Sequence, residues 1–221
     1  MARLTRLVLP GEAHYLIHRG HSTQRVFADG QDRAAFLAAL REAAAAEKVA
    51  VHAFALLEAE VQLLATPQEP AALGRLVQAV SRRYVSAYNR RHGRSGTLWD
   101  GRFRCAVVEP GATRLAVLQL IDGQSSEAGF TSAAHRLGGP REALLVDLPE
   151  VWKLGNTPFE REAAYQALLE RGLGSHQADS LRRAALGGWV AGSGQFAAKV
   201  AELASRPAAP RPRGRPARSA A

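Results

Sequence analysis

The alternation of apolar and polar residues predicts short strands and amphipathic helices through the first half of the chain. The predicted elements are a strand at 13–17, a helix at 32–48, strands at 49–57 and 61–65, a helix at 71–91, an extended segment at 98–108 and a helix at 113–121. Asp29 can cap the first helix, in which Phe36 and Leu40 recur on one face. Residues 58 and 59 form a tight connection between the second and third strands, which indicates a hairpin. Gly101 predicts a bend or bulge within the extended segment.

The order strand, helix, strand, strand, helix, strand is typical of a ferredoxin-like βαββαβ sandwich, an α+β fold. We therefore predict a first domain at residues 1–132. From residue 133 onward the chain changes character and predicts a small helical C-terminal module at 133–205, with helical runs at 160–171, 177–186 and 195–205. Residues 206–221 repeat Pro and Arg without apolar periodicity, which predicts a disordered basic tail.

Composition narrows the class of protein. With 221 residues, 47% of them hydrophobic and 22% charged, the chain can bury a core, so disorder throughout is excluded. A single cysteine, Cys105, excludes an internal disulfide or a thiolate zinc site, and its apolar neighbours indicate an inert core residue. The N-terminal residues lack the apolar stretch of a signal peptide or membrane span, so we expect a cytoplasmic protein without membrane contact.

Positive charge is the strongest compositional signal. The net charge is +9, and 26 of the 29 basic residues are arginine, which binds phosphates through a planar fork and stacks on flat rings. Residues 82–104 contain seven arginines and one acidic residue, Asp100, and several aromatic residues lie among the arginines. We predict a nucleic-acid interface here, although Trp99 could instead anchor the sheet. The candidate residues are Arg82, Arg83, Tyr84, Tyr88, Asn89, Arg90, Arg91, His92, Arg94, Trp99, Arg102 and Arg104.

The C-terminal tail is a second candidate contact. Arg211, Arg213 and Arg215 lie in a Pro-Arg-Pro-Arg-Gly-Arg-Pro segment that is similar to the core of an AT-hook, which lies in a narrow minor groove. A nonspecific basic tail explains the same residues equally well. Both interpretations predict that the tail adds affinity for a polyanion.

Five blocks of sequence occur in a fixed order along the chain. They are Pro-Gly-x-x-His-Tyr from residue 10, Asp-Arg-x-x-Phe-Leu from 32, the run from Tyr84 to Phe103 that contains Tyr-Asn-Arg-Arg-His and Leu-Trp-Asp-Gly-Arg-Phe, Ala-Gly at 128, and Gly-Trp-x-x-Gly-Ser from 188. Together these blocks resemble the single-tyrosine transposases, most closely their REP-associated branch, over nearly the whole chain. The resemblance implies a ferredoxin-like fold and binding of single-stranded or hairpin repeat DNA.

The resemblance also implies a catalytic motif from which this sequence departs. Members of that family hold a divalent metal with two histidines one residue apart on a strand, and attack a DNA phosphate with a helical tyrosine, aided by an amide four residues later. The corresponding positions here are Glu60, Gln62, Leu120 and Gln124. Leucine cannot attack phosphorus, and no two histidines of the chain are one residue apart. We therefore predict lost strand cleavage, no catalytic or metal-binding residue and no cofactor, with Mg²⁺ or Mn²⁺ only if the degenerate site still binds metal.

Three functions stay open from sequence alone. The first is a DNA-binding protein of the transposase type without cleavage activity. The second is an active metal-dependent nuclease that uses Glu60, Gln62, Gln124 and a relocated tyrosine, for which Tyr84 and Tyr88 are the candidates. The third is a nonenzymatic remnant that binds RNA or an acidic protein. The expected partner is DNA, single-stranded or hairpin, and a homodimer is possible.

Overall fold

A computed structural model describes residues 5–124 and 130–210 of the chain. The strands in these ranges are β1 (His14–Arg19), β2 (Val49–Leu57), β3 (Glu60–Pro67), β4 (Arg104–Val108), β5 (Phe130–Thr131) and β6 (Val190–Ala191). The helices in the same ranges are α1 (Gly30–Ala46), α2 (Ala72–Arg91), α3 (Ala112–Asp122), α4 (Pro149–Trp152), α5 (Pro158–Arg171), α6 (Ser175–Gly187) and α7 (Gly194–Ala204).

The strands form one sheet in the order β5-β2-β3-β1-β4-β6. Strand β1 pairs antiparallel with both β3 and β4, and β2 pairs antiparallel with β3, whereas β6 runs parallel to β4. The four inner strands thus have the order β2-β3-β1-β4, with one helix between β1 and β2 and another between β3 and β4. This arrangement confirms the predicted α+β fold with its βαββαβ core.

Helices cover both faces of the sheet. Neighbouring residues of a strand point to opposite faces, so each strand contributes side chains to both cores. On the first face, α1 and α2 bury Phe36 and Leu76 against a core that includes Leu63 of β3. On the second face, α3, α5 and α6 pack over a core that includes Leu64 of β3 and Tyr15 of β1. The result is three layers, helix on sheet on helix. The sequence pattern of the first 121 residues did not indicate the second helical layer.

Local signals placed most elements within a few residues. The Asp29 carboxylate accepts hydrogen bonds from the backbone N–H groups of Gln31 and Asp32, so it is the N-cap of α1 as predicted. The predicted extended segment at 98–108 is wrong in its first half, since β4 begins only at Arg104. The chain turns sharply at Gly101, whose φ of +68° favours glycine.

The C-terminal helices pack on the sheet. Helix α6 lies against β4, and Ala185 of α6 belongs to the core of the second face. The tail predicted to be disordered from residue 206 is ordered over its first residues: Ala208 is buried and accepts a backbone hydrogen bond from Val190. The division of the chain at residue 133 stays a prediction. Arg211, Arg213 and Arg215 lie outside the described residues.

Candidate nucleic-acid interface

Glu60 and Gln62, the positions that correspond to the family's histidine pair, form a closed polar cluster. Both lie on β3 and are at least nine-tenths buried. The Gln62 amide donates to Glu60 Oε1 over 2.7 Å, and the Tyr15 hydroxyl donates to Gln62 Oε1 over 2.6 Å. Arg182 Nη2 of α6 donates to both oxygens of Glu60 over 3.0 and 3.1 Å, and Arg19 Nε donates to Oε2 over 2.9 Å.

This cluster does not fit a divalent metal ion. The carboxylate oxygens of Glu60, which would be the ligands, already accept from two guanidinium groups. Those groups place positive charge where a cation would have to approach. Burial by itself lowers the pKa of Arg182, but the charges and hydrogen bonds of Glu60 and Tyr15 together outweigh burial, so the net pKa is raised. The cluster is therefore an internal ion pair with its own cation.

The other two motif positions do not join this cluster. Leu120 is buried in the core beneath α3. Gln124 directs its amide to the backbone carbonyl of Leu120, over 2.8 Å. No hydrogen bond among the described residues links either of them to Glu60 or Gln62. The four positions share one face of the sheet without forming a common polar site.

All four tyrosines of the chain are buried, with exposures of 0–6%. Tyr15 donates to Gln62, Tyr165 donates to Asp122 over 2.6 Å, and the hydroxyls of Tyr84 and Tyr88 donate to the backbone carbonyls of Val26 and Arg25. Burial raises the pKa of Tyr15, Tyr84 and Tyr165 well above the ordinary value. Each of these hydroxyls thus belongs to a buried side chain and is engaged in a hydrogen bond within the protein.

The basic block at residues 82–104 is partly neutralised by acidic residues that are distant in sequence. Arg91 pairs with both Asp29 and Asp32 of the α1 N-terminus, and its hydrogen bonds to Asp29 lower the pKa of that carboxyl. Arg83 pairs with Glu42, and Arg94 donates to Gln24 over 2.7 Å. In contrast, Arg82, Arg90, Arg102 and Arg104 are exposed and make no ion pair within the described ranges.

Three aromatic residues predicted to stack on bases are instead core residues. Tyr84, Tyr88 and Trp99 are at most 6% exposed, because they pack between α2, α1 and the sheet. Trp99 stacks on His18 with ring centroids 4.1 Å apart, which supports its role as an anchor of the sheet. His92 contacts Asp32, and the Asn89 side chain donates to the carbonyl of Gly96 over 2.9 Å. His92 and Asn89 therefore make contacts within the protein at the C-terminal end of α2.

A basic cleft of about 680 Å³ opens at the edge of the sheet, where the C-terminus of β1 and the N-terminus of β4 meet the end of α6. Among its lining residues, which all belong to the described ranges, five are arginines and Asp100 is the only acid. The arginines are Arg6, Arg19, Arg102, Arg104 and Arg206. We call this surface the arginine cleft.

Two guanidinium groups of the arginine cleft, those of Arg6 and Arg206, are held on aromatic and backbone partners. The Arg6 guanidinium lies 3.8 Å from the ring centre of Phe103. Burial lowers the pKa of Arg6, and the positive charges of Arg102 and Arg104 act in the same direction. Arg206 donates to the carbonyls of Thr5 and Gly188 and so joins the two chain ends at the cleft. An anion in the cleft would relieve the mutual repulsion of these cations.

Trp189, half-buried on the cleft wall, is the one indole that lines the arginine cleft in the described structure. It lies against Gly187, where an added Cβ would meet Trp189 Cδ1 at 2.3 Å. Glycine at this position therefore permits the observed position of the ring. An aromatic face beside several guanidinium groups is the combination that binds unpaired bases and their phosphates.

Two of the five cleft arginines, Arg102 and Arg104, belong to the interface predicted from sequence. Arg6, Arg19 and Arg206 do not, because no local clustering distinguishes them from the other arginines. The Gly-Gly-Trp run before β6 could have drawn attention to Trp189, although the resemblance by itself gives this run no role in binding. Burial raises the pKa of the Cys105 thiol, at the base of the cleft, to about 11, in agreement with an inert residue.

Neither a metal-binding cluster nor a membrane-spanning helix occurs in the part of the chain that the structure describes. No group of three or more His, Cys, Asp or Glu side chains with metal-binding geometry occurs among those residues. None of the described helices combines the length and apolar character needed to cross a bilayer.

Comparisons with known proteins gave structural likeness only. No protein-family model and no curated protein matches the sequence. A REP-associated tyrosine transposase bound to a REP hairpin is similar with a TM-score of 0.47 and 10% identity, over 55% of this chain and 71% of that chain. A candidate transposase from Deinococcus radiodurans R1 has a TM-score of 0.39 and 24% identity, over 57% of this chain and 99% of that chain.

Proposed function

We propose that this protein is a transposase-like DNA-binding protein that holds single-stranded or hairpin DNA in the arginine cleft and does not cleave it. The observation that carries the proposal is the cleft itself, with five arginines and one acid around about 680 Å³. Cations kept close together in a concave surface attract a polyanion strongly, and the release of its counterions favours binding.

The form of the cleft favours unpaired nucleotides. Its volume lies within the range of pockets that enclose a small organic ligand, so one or two nucleotides fit, whereas a duplex is too wide to enter. The half-buried ring of Trp189 offers a flat apolar surface, and a base can stack on it only when its own face is free. The loop of a hairpin or a single-stranded flank has such bases.

Transesterification needs a nucleophile and a cation at the phosphate, and the engagement of the candidate residues for both roles supports the absence of cleavage in this proposal. A nucleophile must reach the phosphate, yet every tyrosine of the chain is a buried residue whose hydroxyl is engaged in a hydrogen bond. A cation must stabilise the charge on the phosphate oxygens, yet the oxygens of Glu60 are occupied by Arg19 and Arg182. The relocated nucleophiles considered from sequence, Tyr84 and Tyr88, are enclosed in the core.

Binding is tested by fluorescence anisotropy with a DNA hairpin, its RNA equivalent, unstructured single-stranded DNA and a blunt duplex, all at one salt concentration. We expect the hairpin and single strand to bind more tightly than the duplex. The double variant Arg102→Gln/Arg104→Gln should weaken binding about tenfold and reduce the slope of log K against log salt by about 1.4. Arg171→Gln, which removes an exposed arginine outside the cleft, is the matched control and should have no effect.

Preference for RNA would assign the cleft to RNA, and equal affinity of the double variant and the unsubstituted chain would contradict the proposal. Cleavage is tested separately, by incubating a hairpin oligonucleotide with the protein in Mg²⁺ or Mn²⁺ and running a denaturing gel. We expect no covalent adduct. An adduct that disappears in Tyr84→Phe or Tyr88→Phe would instead identify an active transferase.

A further inference from the structure

Glu60 connects the closed polar cluster to the arginine cleft through Arg19. The two residues are directly opposite each other at the ends of β3 and β1, where Arg19 and Glu60 are register partners. Glu60 Oε2 accepts from Arg19 Nε over 2.9 Å, and Arg19 also lines the cleft. The carboxylate therefore lies behind the arginine, on the side away from the cleft.

The two side chains differ in exposure in a way that fits this arrangement. The Arg19 side chain is 46% exposed, whereas that of Glu60 is 11% exposed. The hydrogen bond to Glu60 uses Nε of Arg19, so it leaves both Nη groups for another acceptor. Because the guanidinium is planar and rigid, fixing Nε on a buried carboxylate fixes the plane in which the Nη groups lie.

Arg182 prevents the carboxylate from moving away. Its guanidinium donates to both oxygens of Glu60, and Gln62 donates to Oε1. Glu60 is thus a fixed anion with one exposed partner, Arg19, and one more deeply buried partner, Arg182. A carboxylate held in this way can orient Arg19 before any ligand arrives.

We propose that Glu60 is a positioning residue for DNA binding, which orients Arg19 so that its Nη groups donate to a phosphate of the bound strand. The inference rests on the proposed function of the arginine cleft. It assigns a role to a residue that would be expected only to weaken binding, because an acid near a polyanion site repels phosphate. Orientation of Arg19 outweighs that repulsion, since Glu60 is buried behind it.

A double-mutant cycle separates positioning from a structural role. Binding of single-stranded DNA is measured by anisotropy for the unsubstituted chain, Glu60→Gln, Arg19→Gln and the double variant. We expect each single variant to bind about fivefold more weakly, and the double variant to bind no more weakly than either single one, because both remove the same contact. In the control cycle, Glu60→Gln with Arg102→Gln, the two effects should multiply, since Arg102 makes no contact with Glu60.

A further variant keeps the test valid if Glu60→Gln does not fold. Arg19→Lys retains the positive charge in the cleft but lacks the Nε donor and the planar fork, and its exposed position leaves the fold intact. We expect it to bind as weakly as Arg19→Gln. Affinity of Arg19→Lys equal to that of the unsubstituted chain would overturn the inference, because charge alone would then suffice.

The outcomes distinguish this inference from the proposed function. Tighter binding by Glu60→Gln, or effects of Glu60→Gln and Arg19→Gln that multiply, would overturn the positioning role while Arg102 and Arg104 still mark the cleft. If the unsubstituted chain binds no oligonucleotide, both proposals are overturned together.

Discussion

Arg182 of α6 holds Glu60 of β3 with hydrogen bonds of 3.0 and 3.1 Å to its two carboxylate oxygens, across 122 positions of sequence. The pair joins the C-terminal helices to the central sheet at a point where the resemblance implies a metal site. Both side chains are mostly shielded from solvent, with exposures of 28% and 11%. A guanidinium from the C-terminal helices thus lies against the residues that correspond to the metal ligands of the resembled family.

We expect Arg182→Gln to lower the free energy of unfolding by about 2 kcal/mol, since it leaves part of the Glu60 charge buried and uncompensated. The neighbouring Arg183 is exposed and makes no ion pair within the described ranges. Arg183→Gln is therefore the matched control and should change stability by less than about 0.5 kcal/mol. Urea unfolding followed by circular dichroism measures both. Equal effects of the two substitutions would contradict the role of the ion pair.

Gly187→Ala should displace Trp189, because the new Cβ would lie 2.3 Å from Cδ1 of the indole ring. We expect a change in intrinsic tryptophan fluorescence and a severalfold weaker affinity for single-stranded DNA. Gly74→Ala is the control, since Gly74 lies within α2 with open space around its Cα and should gain about 0.5–1 kcal/mol from the higher helix propensity of alanine. Unchanged fluorescence in Gly187→Ala would show that the ring is not held by this glycine.

Stability should fall as the pH decreases from about 6.5 to about 4. Burial lowers the pKa of His14 and of His18 to about 4, although backbone hydrogen bonds to Glu12 and Gly101 oppose the shift. The unfolded chain then binds more protons than the folded one between these pH values, so acidification favours unfolding. A full shift of this size corresponds to about 3 kcal/mol for one histidine.

His14 shows the structural cause of that pH dependence. Its Nδ1 lies 2.8 Å from the carbonyl of Glu12, and its Nε2 accepts from the backbone N–H of Leu9 over 3.2 Å, which requires the neutral ring. We expect His14→Gln to reduce the loss of stability between pH 6.5 and 4, measured by urea unfolding at each pH. His176→Gln, at an exposed histidine, should leave the pH profile unchanged. A flat profile in the unsubstituted chain would refute the prediction.

Deletion of residues 211–221 should weaken binding of DNA and flatten its salt dependence, because the deleted segment carries four arginines. For each phosphate that the shortened chain no longer neutralises, the slope of log K against log salt falls by about 0.7–0.9. Replacement of the four arginines by glutamine in the full-length chain is the matched control for length and should give the same result. An unchanged slope after deletion would mean that the tail does not touch DNA.

The sequence alone determined most of the helices and strands of the βαββαβ core. Apolar periodicity, the cap at Asp29 and the short connection before Glu60 act over a few residues, so they can be recognised without knowledge of the fold. Local signals also placed α5, α6 and α7 within about three residues. They could not indicate that α5 and α6 form the third layer together with α3, because which face of a sheet a helix covers depends on contacts between distant segments.

Only the tertiary structure decided which candidate residues form the site. Seven arginines within 23 residues are a cluster in sequence, but Asp29, Asp32 and Glu42 of α1 neutralise two of them. Conversely, the cleft unites arginines from both ends of the chain. Ion pairing and burial depend on distance in space, and residues that are far apart in sequence can be close in space. The rings of Tyr84 and Trp99 therefore lie in the core, whereas Trp189 lines the cleft.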